Sequence, residues 1–206
     1  MLKIFHLLFL HIFVCAVILA LPAPRTGTVR TIYVSQKSGV DTDNDGSDKN
    51  HPIRTLTRAK AVAESVFTST DSFVILLKCD EIYDDFEPHS NSVLQRYDIH
   101  KSTFAFVWDI DKPLLLSNYG SGSKPLLYGS NYAHEGGPVG AIAVTEPSTQ
   151  KVVITSLHIK HWENWAIRIL ESENVDILYN TIEECGTYYY PDEQLTDHYS
   201  SAVLSL

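Results

Sequence analysis

The chain has 206 residues, 44% of them hydrophobic, and a formal charge of −9. That length is enough for one domain with a substantial core. The acidic balance is poorly matched to the phosphate contacts that drive nucleic-acid binding, so no nucleic-acid partner is expected.

Residues 1–20 read as a cleaved signal peptide. Lys3 gives a weakly positive start, residues 4–21 are mostly apolar, and Ala20 occupies a small-residue cleavage position. The expectation is a secreted, extracellular protein with no stable membrane span after cleavage. Residues 21–30 form a short linker. Residues 31–35 read as a strand, and a polar loop follows over 39–48. Leu56, Ala59, Ala63 and Val66 recur at helical spacing, with Thr55 or Thr57 available to cap the start. Residues 73–77 are a continuous apolar run, predicting a strand buried on both faces. Residues 81–111 are aromatic and less regular. Residues 103–108 read as a strand within them, and part of the rest as a lateral loop.

The last third carries a repeat. Val152, Ile154, Leu157 and Ile159 recur 23 residues later as Val175, Ile177, Asn180 and Ile182. Residues 140–144 match 165–169 at an offset of 25. Short alternating strands at such a period predict stacked turns that bury their apolar face only against their neighbours. Alternation sends Ile154, Ile159, Ile177 and Ile182 inward and Val153, His158, Lys160, Asp176, Thr181 and Glu183 outward. His158 then lies beside Thr181, and Lys160 beside Glu183. Asn180 replaces an inward Leu157 and is expected to bond along the stack, because a buried amide must find partners. Residues 200–206 read as a further strand, with 204–206 matching 167–169.

The opening block consists of Tyr33-Val-Ser35, Gly39 with Asp41 and Asn44-Asp-Gly46, then Pro52 with Thr55-Leu56 and an Ala-rich helix. It resembles the entry to right-handed parallel β-helix proteins of the pectate-lyase-like superfamily (pectin lyase fold). Residues 73–80 look like that family's next strand, and residues 114–122 with 124–129 like its first complete coil. The resemblance implies an all-β fold: a right-handed parallel β-helix, or solenoid, with an N-terminal capping α-helix. The domain would span 31–206, with the cap over about 31–80 and coils over about 81–206. Family members continue through more coils, so a truncated C-terminus is expected. The resemblance also implies action on, or binding to, extracellular polysaccharide.

Several residues are candidates for chemistry. Asp41, Asp43 and Asp45 followed by Gly46 begin like a Ca²⁺ loop, although Pro52 stands where an EF-hand would need Glu. The competing reading is an Asx-rich turn bonding to backbone amides. Lyases of the superfamily use an Arg or Lys base, and hydrolases use Asp as acid and base. Lys160 and Arg168 are the catalytic candidates, with a plain Lys160–Glu183 surface ion pair as the alternative. Residues 186–199 form a long insertion. Tyr188, Tyr189, Tyr190 and Tyr199 there, with Trp162, are candidates for contacting sugar rings. The same tyrosines could instead pack under their own loop. Cys79 and Cys185 are expected as buried free thiols rather than a disulfide. Three readings compete: a polysaccharide lyase or glycoside hydrolase, a non-catalytic carbohydrate-binding or surface protein, and an inactive fragment of a longer enzyme.

Overall fold

The computed structural model describes residues 27–97, 103–129, 138–145, 150–186 and 203–205. Residues 1–20, read above as a signal peptide, and the tyrosines at 188, 189, 190 and 199 lie outside them. No helix among the described residues is long and apolar enough to cross a membrane.

The described chain is mostly β, and its strands pair in parallel. The strands are β1 (Val29–Val34), β2 (Ser72–Lys78), β3 (Ile82–Tyr83), β4 (Phe104–Trp108), β5 (Leu114–Tyr119), β6 (Leu126–Tyr128) and β7 (Gly140–Val144). They continue as β8 (Val152–Thr155), β9 (His158–Lys160), β10 (Trp165–Ile169), β11 (Val175–Leu178), β12 (Thr181–Glu183) and β13 (Val203–Ser205). They form three sheets with orders β1-β2-β5-β8-β11, β3-β6-β9-β12 and β4-β7-β10-β13. From β2 onward the chain visits the sheets in fixed rotation. Each pass through the three is one circuit, an arrangement compatible with a parallel β-helix.

The register follows the sequence repeat. Val152, Ile154 and Ile159 pair with Val175, Ile177 and Ile182, and Trp165 and Ile167 pair with Gly140 and Ile142. His158 faces Thr181 and Lys160 faces Glu183, as alternation predicts. One register differs. Ile167 pairs with Val203 and Ile169 with Ser205, one residue earlier than the predicted match to 204–206. A single-residue slip exchanges the faces of a strand.

The inward residues meet in one core, including Ile32, Phe73, Ile75, Phe106, Leu116, Ile154, Ile159 and Ile167. β2 alternates buried and half-buried residues, so its outer face is not covered as the apolar run predicted. The helix α1 (Leu56–Val66) starts at Thr55, whose side chain accepts from the Arg58 amide. It buries Leu56, Ala59, Val62 and Ala63 against the same core. It contacts β1 and β4, taking the place of a third strand in the first circuit. A second helix, α2 (Ser92–Tyr97), lies in the connection read as lateral loop.

Connections between the first sheet and the second are short, at 79–81, 120–125, 156–157 and 179–180. Those from the third sheet back to the first are also short, at 109–113, 145–151 and 170–174. The long ones, 84–103, 129–139 and 184–202, all join the second sheet to the third. Only 161–164 is brief at that corner.

Candidate functional site

Alternation places the third residue of β6, β9 and β12 on the outside of the second sheet. Tyr128 pairs with Lys160 and Lys160 with Glu183. Adjacent strands lie ~4.8 Å apart, so these side chains form a ladder. His158 stands one column away on the same face. Beyond β9 and β12 the backbone turns through left-handed residues, His161 (φ 59°) and Glu184 (φ 52°). Two histidines three apart on a straight strand would face opposite sides. The turn at His161 breaks that rule and brings both imidazoles to the same pair of carboxylates.

The resulting cluster is tightly paired. His158 Nε2 lies 3.2 Å and Lys160 Nζ 3.4 Å from Glu183 Oε2. Lys160 Nζ lies 3.7 Å from Glu184 Oε1, and His161 Nε2 lies 2.6 Å from Glu184 Oε2. The His161 ring meets Tyr128 edge-on, with centroids 5.2 Å apart. His158, then Lys160, hold the Glu183 carboxyl below its usual range through hydrogen bonds. All five charged or titratable residues of the cluster are at least a quarter exposed. The face can therefore exchange these partners for those of a ligand.

Arg168 does not join this cluster. It lies on the third sheet and is only 3% exposed. Its outward column, with Val107 and Ala143, is covered where Leu94 of α2 packs on Phe104, Val107, Ala143, Trp165 and Leu170. The guanidinium stacks 4.4 Å from the centre of the Trp165 ring. Asn91 pins α2 in place, donating to Thr145 Oγ1 and accepting from the Leu94 amide. Arg96 extends the tie to Glu171. Outward on this sheet therefore means buried, which denies Arg168 the exposed position expected of a base.

Trp162 is a core residue, 1% exposed. Its Nε1 donates to the Leu127 carbonyl, and its ring packs 5.3 Å from Phe86. Gly129 makes room for it, since a Cβ there would stand 2.6 Å from the indole. That placement gives Trp162 no open face for a sugar ring.

In the Asp41, Asp43 and Asp45 loop, two of the three carboxylates bond to the turn and its neighbours. Asp41 accepts from the Arg54 amide and from the amide and hydroxyl of Thr55. Asp45 pairs with Arg30 at 2.7 Å and accepts from Ser47. Those oxygens serve the turn, and among the described residues no group of three His, Cys, Asp or Glu could hold a metal ion. Asn44 likewise bonds the turn, donating to the carbonyls of His51 and Pro52. Cys79 and Cys185 are free thiols.

A cavity of about 800 Å³ lies elsewhere, between the end of α1 and the 109–113 corner. Glu64, Asp71, Asp109 and Asp111 border it, with Phe67 and Pro113 as apolar wall. Lys60 bridges Glu64 and Asp109 at its side. The paired, partly exposed ladder is the stronger candidate, because its donors and acceptors converge on one open face.

Tyr128 is the one ladder member that the sequence repeat did not flag. It precedes Lys160 by more than the repeat length, so the constant offset passes over it. Its signal was the Lys124-Pro-Leu-Leu-Tyr-Gly129 segment, whose alternation sends it outward.

No protein-family model and no curated protein matches the chain. Two crystal structures of the GH136 lacto-N-biosidase from Eubacterium ramulus match it at 15% identity. The selenomethionine derivative gives a TM-score of 0.49 over 76% of this chain and 27% of that chain. The native protein gives 0.47 over 75% and 27%. The chain thus spans about a quarter of the length of the solved proteins it matches.

Proposed function

We propose that this chain is an exported right-handed parallel β-helix protein that binds a neutral extracellular glycan along its second sheet. The observation that carries the reading is the ladder of Tyr128, Lys160, Glu183 and Glu184 with its two histidines. It offers hydrogen-bond donors and acceptors in near balance on an open strand face. Sugar hydroxyls need both, and an aromatic ring beside them supports an apolar sugar face. A neutral ligand suits a chain of charge −9, which repels polyanions at long range. Export is supported by the apolar segment over 4–21.

Binding is favoured over lyase or hydrolase chemistry by how the charged groups are used. Lys160 is engaged by two carboxylates, whereas a base needs a free lone pair. Glu183 is held ionised, whereas a general acid must keep its proton near neutral pH. A hydrolytic reading draws what support it has from the two adjacent carboxylates, Glu183 and Glu184, since hydrolysis uses a carboxyl pair.

The test is retention of the purified protein on insoluble cellulose, chitin and β-1,3-glucan, with reducing ends and ultraviolet absorbance followed together. Retention without product is expected. Lys160→Ala and Glu183→Gln should each weaken it by about tenfold, near the lower end of what a hydrogen bond to a charged group contributes. Product release would make the protein an enzyme. Folded protein that none of these glycans retains would overturn the reading.

A further inference from the structure

The proposed glycan face holds a feature that simple recognition does not require. Each of its carboxylates has an imidazole as a partner from the neighbouring strand. Glu183 takes His158 and Glu184 takes His161, while Lys160 lies between the two carboxylates. The other polar groups nearby are Tyr128 from β6 and Thr181 from β12, the latter accepting from Lys124 Nζ at 3.1 Å. Glu163 follows His161 in the short corner. With both imidazoles neutral, Lys160 against Glu183 and Glu184 leaves one net negative charge on the five residues. With both protonated, the same residues carry one net positive charge.

We propose that His158 and His161 form a proton-operated gate on this face, open to neutral glycan when the imidazoles are neutral and closed when both carry a proton. The proposal rests on the glycan-binding reading of the same residues. To bind, a sugar hydroxyl must replace a partner at a carboxylate. A neutral imidazole gives up its single hydrogen bond with little loss. An imidazolium holds the carboxylate through a charge-assisted bond roughly twice as strong. Imidazole is the side chain that gains a proton on mild acidification, so the face closes as the medium acidifies. Lys160 keeps one contact to each carboxylate in both states, which holds the ladder in register while the gate changes.

The experiment measures retention on insoluble cellulose, chitin and β-1,3-glucan at pH 8 and pH 5, for the wild type and the His158→Gln/His161→Gln variant. In parallel, NMR follows the carboxyl carbons of Glu183 and Glu184 in the free protein. Wild-type retention should fall at pH 5 by about two- to fivefold per imidazole, the worth of an exposed ion pair. In the double variant the ratio between the two pH values should collapse towards one. Unchanged wild-type retention across the range, or a pH ratio that survives in the double variant, overturns the gate and leaves glycan binding intact. If no glycan is retained at either pH, the binding reading falls. The gate, which rests on it, falls with it. The carboxyl carbons test the imidazole–carboxylate pairing independently: signals that stay fixed from pH 8 to pH 5 overturn the gate even where a glycan is retained.

Discussion

Single side chains in this protein are committed to partners that their sequence neighbours do not reveal. Asp45 is the plainest case. The Arg30 side chain, then the Ser47 hydroxyl and amide, hold its carboxyl down from 3.8 to about 2. A carboxyl depressed in the folded state contributes stability above its unfolded value, and that stability is lost as pH falls through the folded one. Unfolding followed by circular dichroism should therefore show wild type losing an increment between about pH 4 and pH 2 that Asp45→Asn lacks. The increment is small, because the pair is partly open to solvent. Asp41 is similarly committed, to the amides of Arg54 and Thr55. The carboxylate spacing that resembles a calcium loop was legible in sequence. Most donors that occupy those oxygens come from Arg30, Arg54 and Thr55, well outside the motif.

At the scale of strands and corners, stacking is set by what lies between the strands. Asn180 accepts from the Leu157 amide at 2.9 Å and donates to the Ile154 carbonyl at 2.9 Å. It therefore binds the corner of one circuit to the corner of the circuit before it, as the replacement of Leu157 by an amide predicts. Asn118 makes a related bond to the Ser156 carbonyl. Asn180→Ala leaves both backbone groups without this partner and should cost about 1–3 kcal/mol in denaturant unfolding, the scale of an unsatisfied buried polar group. The register of β8 and β9 with β11 and β12 was legible because the corners at 156–157 and 179–180 match in length. The register of β13 was not, because a long connection precedes it and the apolar residues of 202–206 fit either face. The surroundings of Arg168 were not legible for a different reason. Nothing in its strand pattern announces that α2 returns to cover that face.

For the whole molecule, one hydrophobic core runs from α1 to the last circuits, and Asp45, Asp109, Glu183 and Glu184 are paired with arginine, lysine and histidine. Stability should therefore come largely from burial and stacking. Excess EDTA should leave the thermal melt of the folded protein unchanged, and a clear drop would restore the calcium loop. The mostly β, parallel-sheet character was legible at this scale because period and alternation report on the core. The ladder was only half legible, since its partners converge through a left-handed turn at His161 that no pattern of residue types encodes. The gathering of the long connections at one edge has a further bearing on how such a chain tolerates change. Length added at 129–139 or 184–202 leaves the strand pairs on either side in register, whereas a residue inserted at 156–157 or 179–180 would shift every later pairing. Indels should therefore accumulate along one seam, beside the proposed glycan face, and a reporter peptide grafted there should be carried without unfolding the sheets.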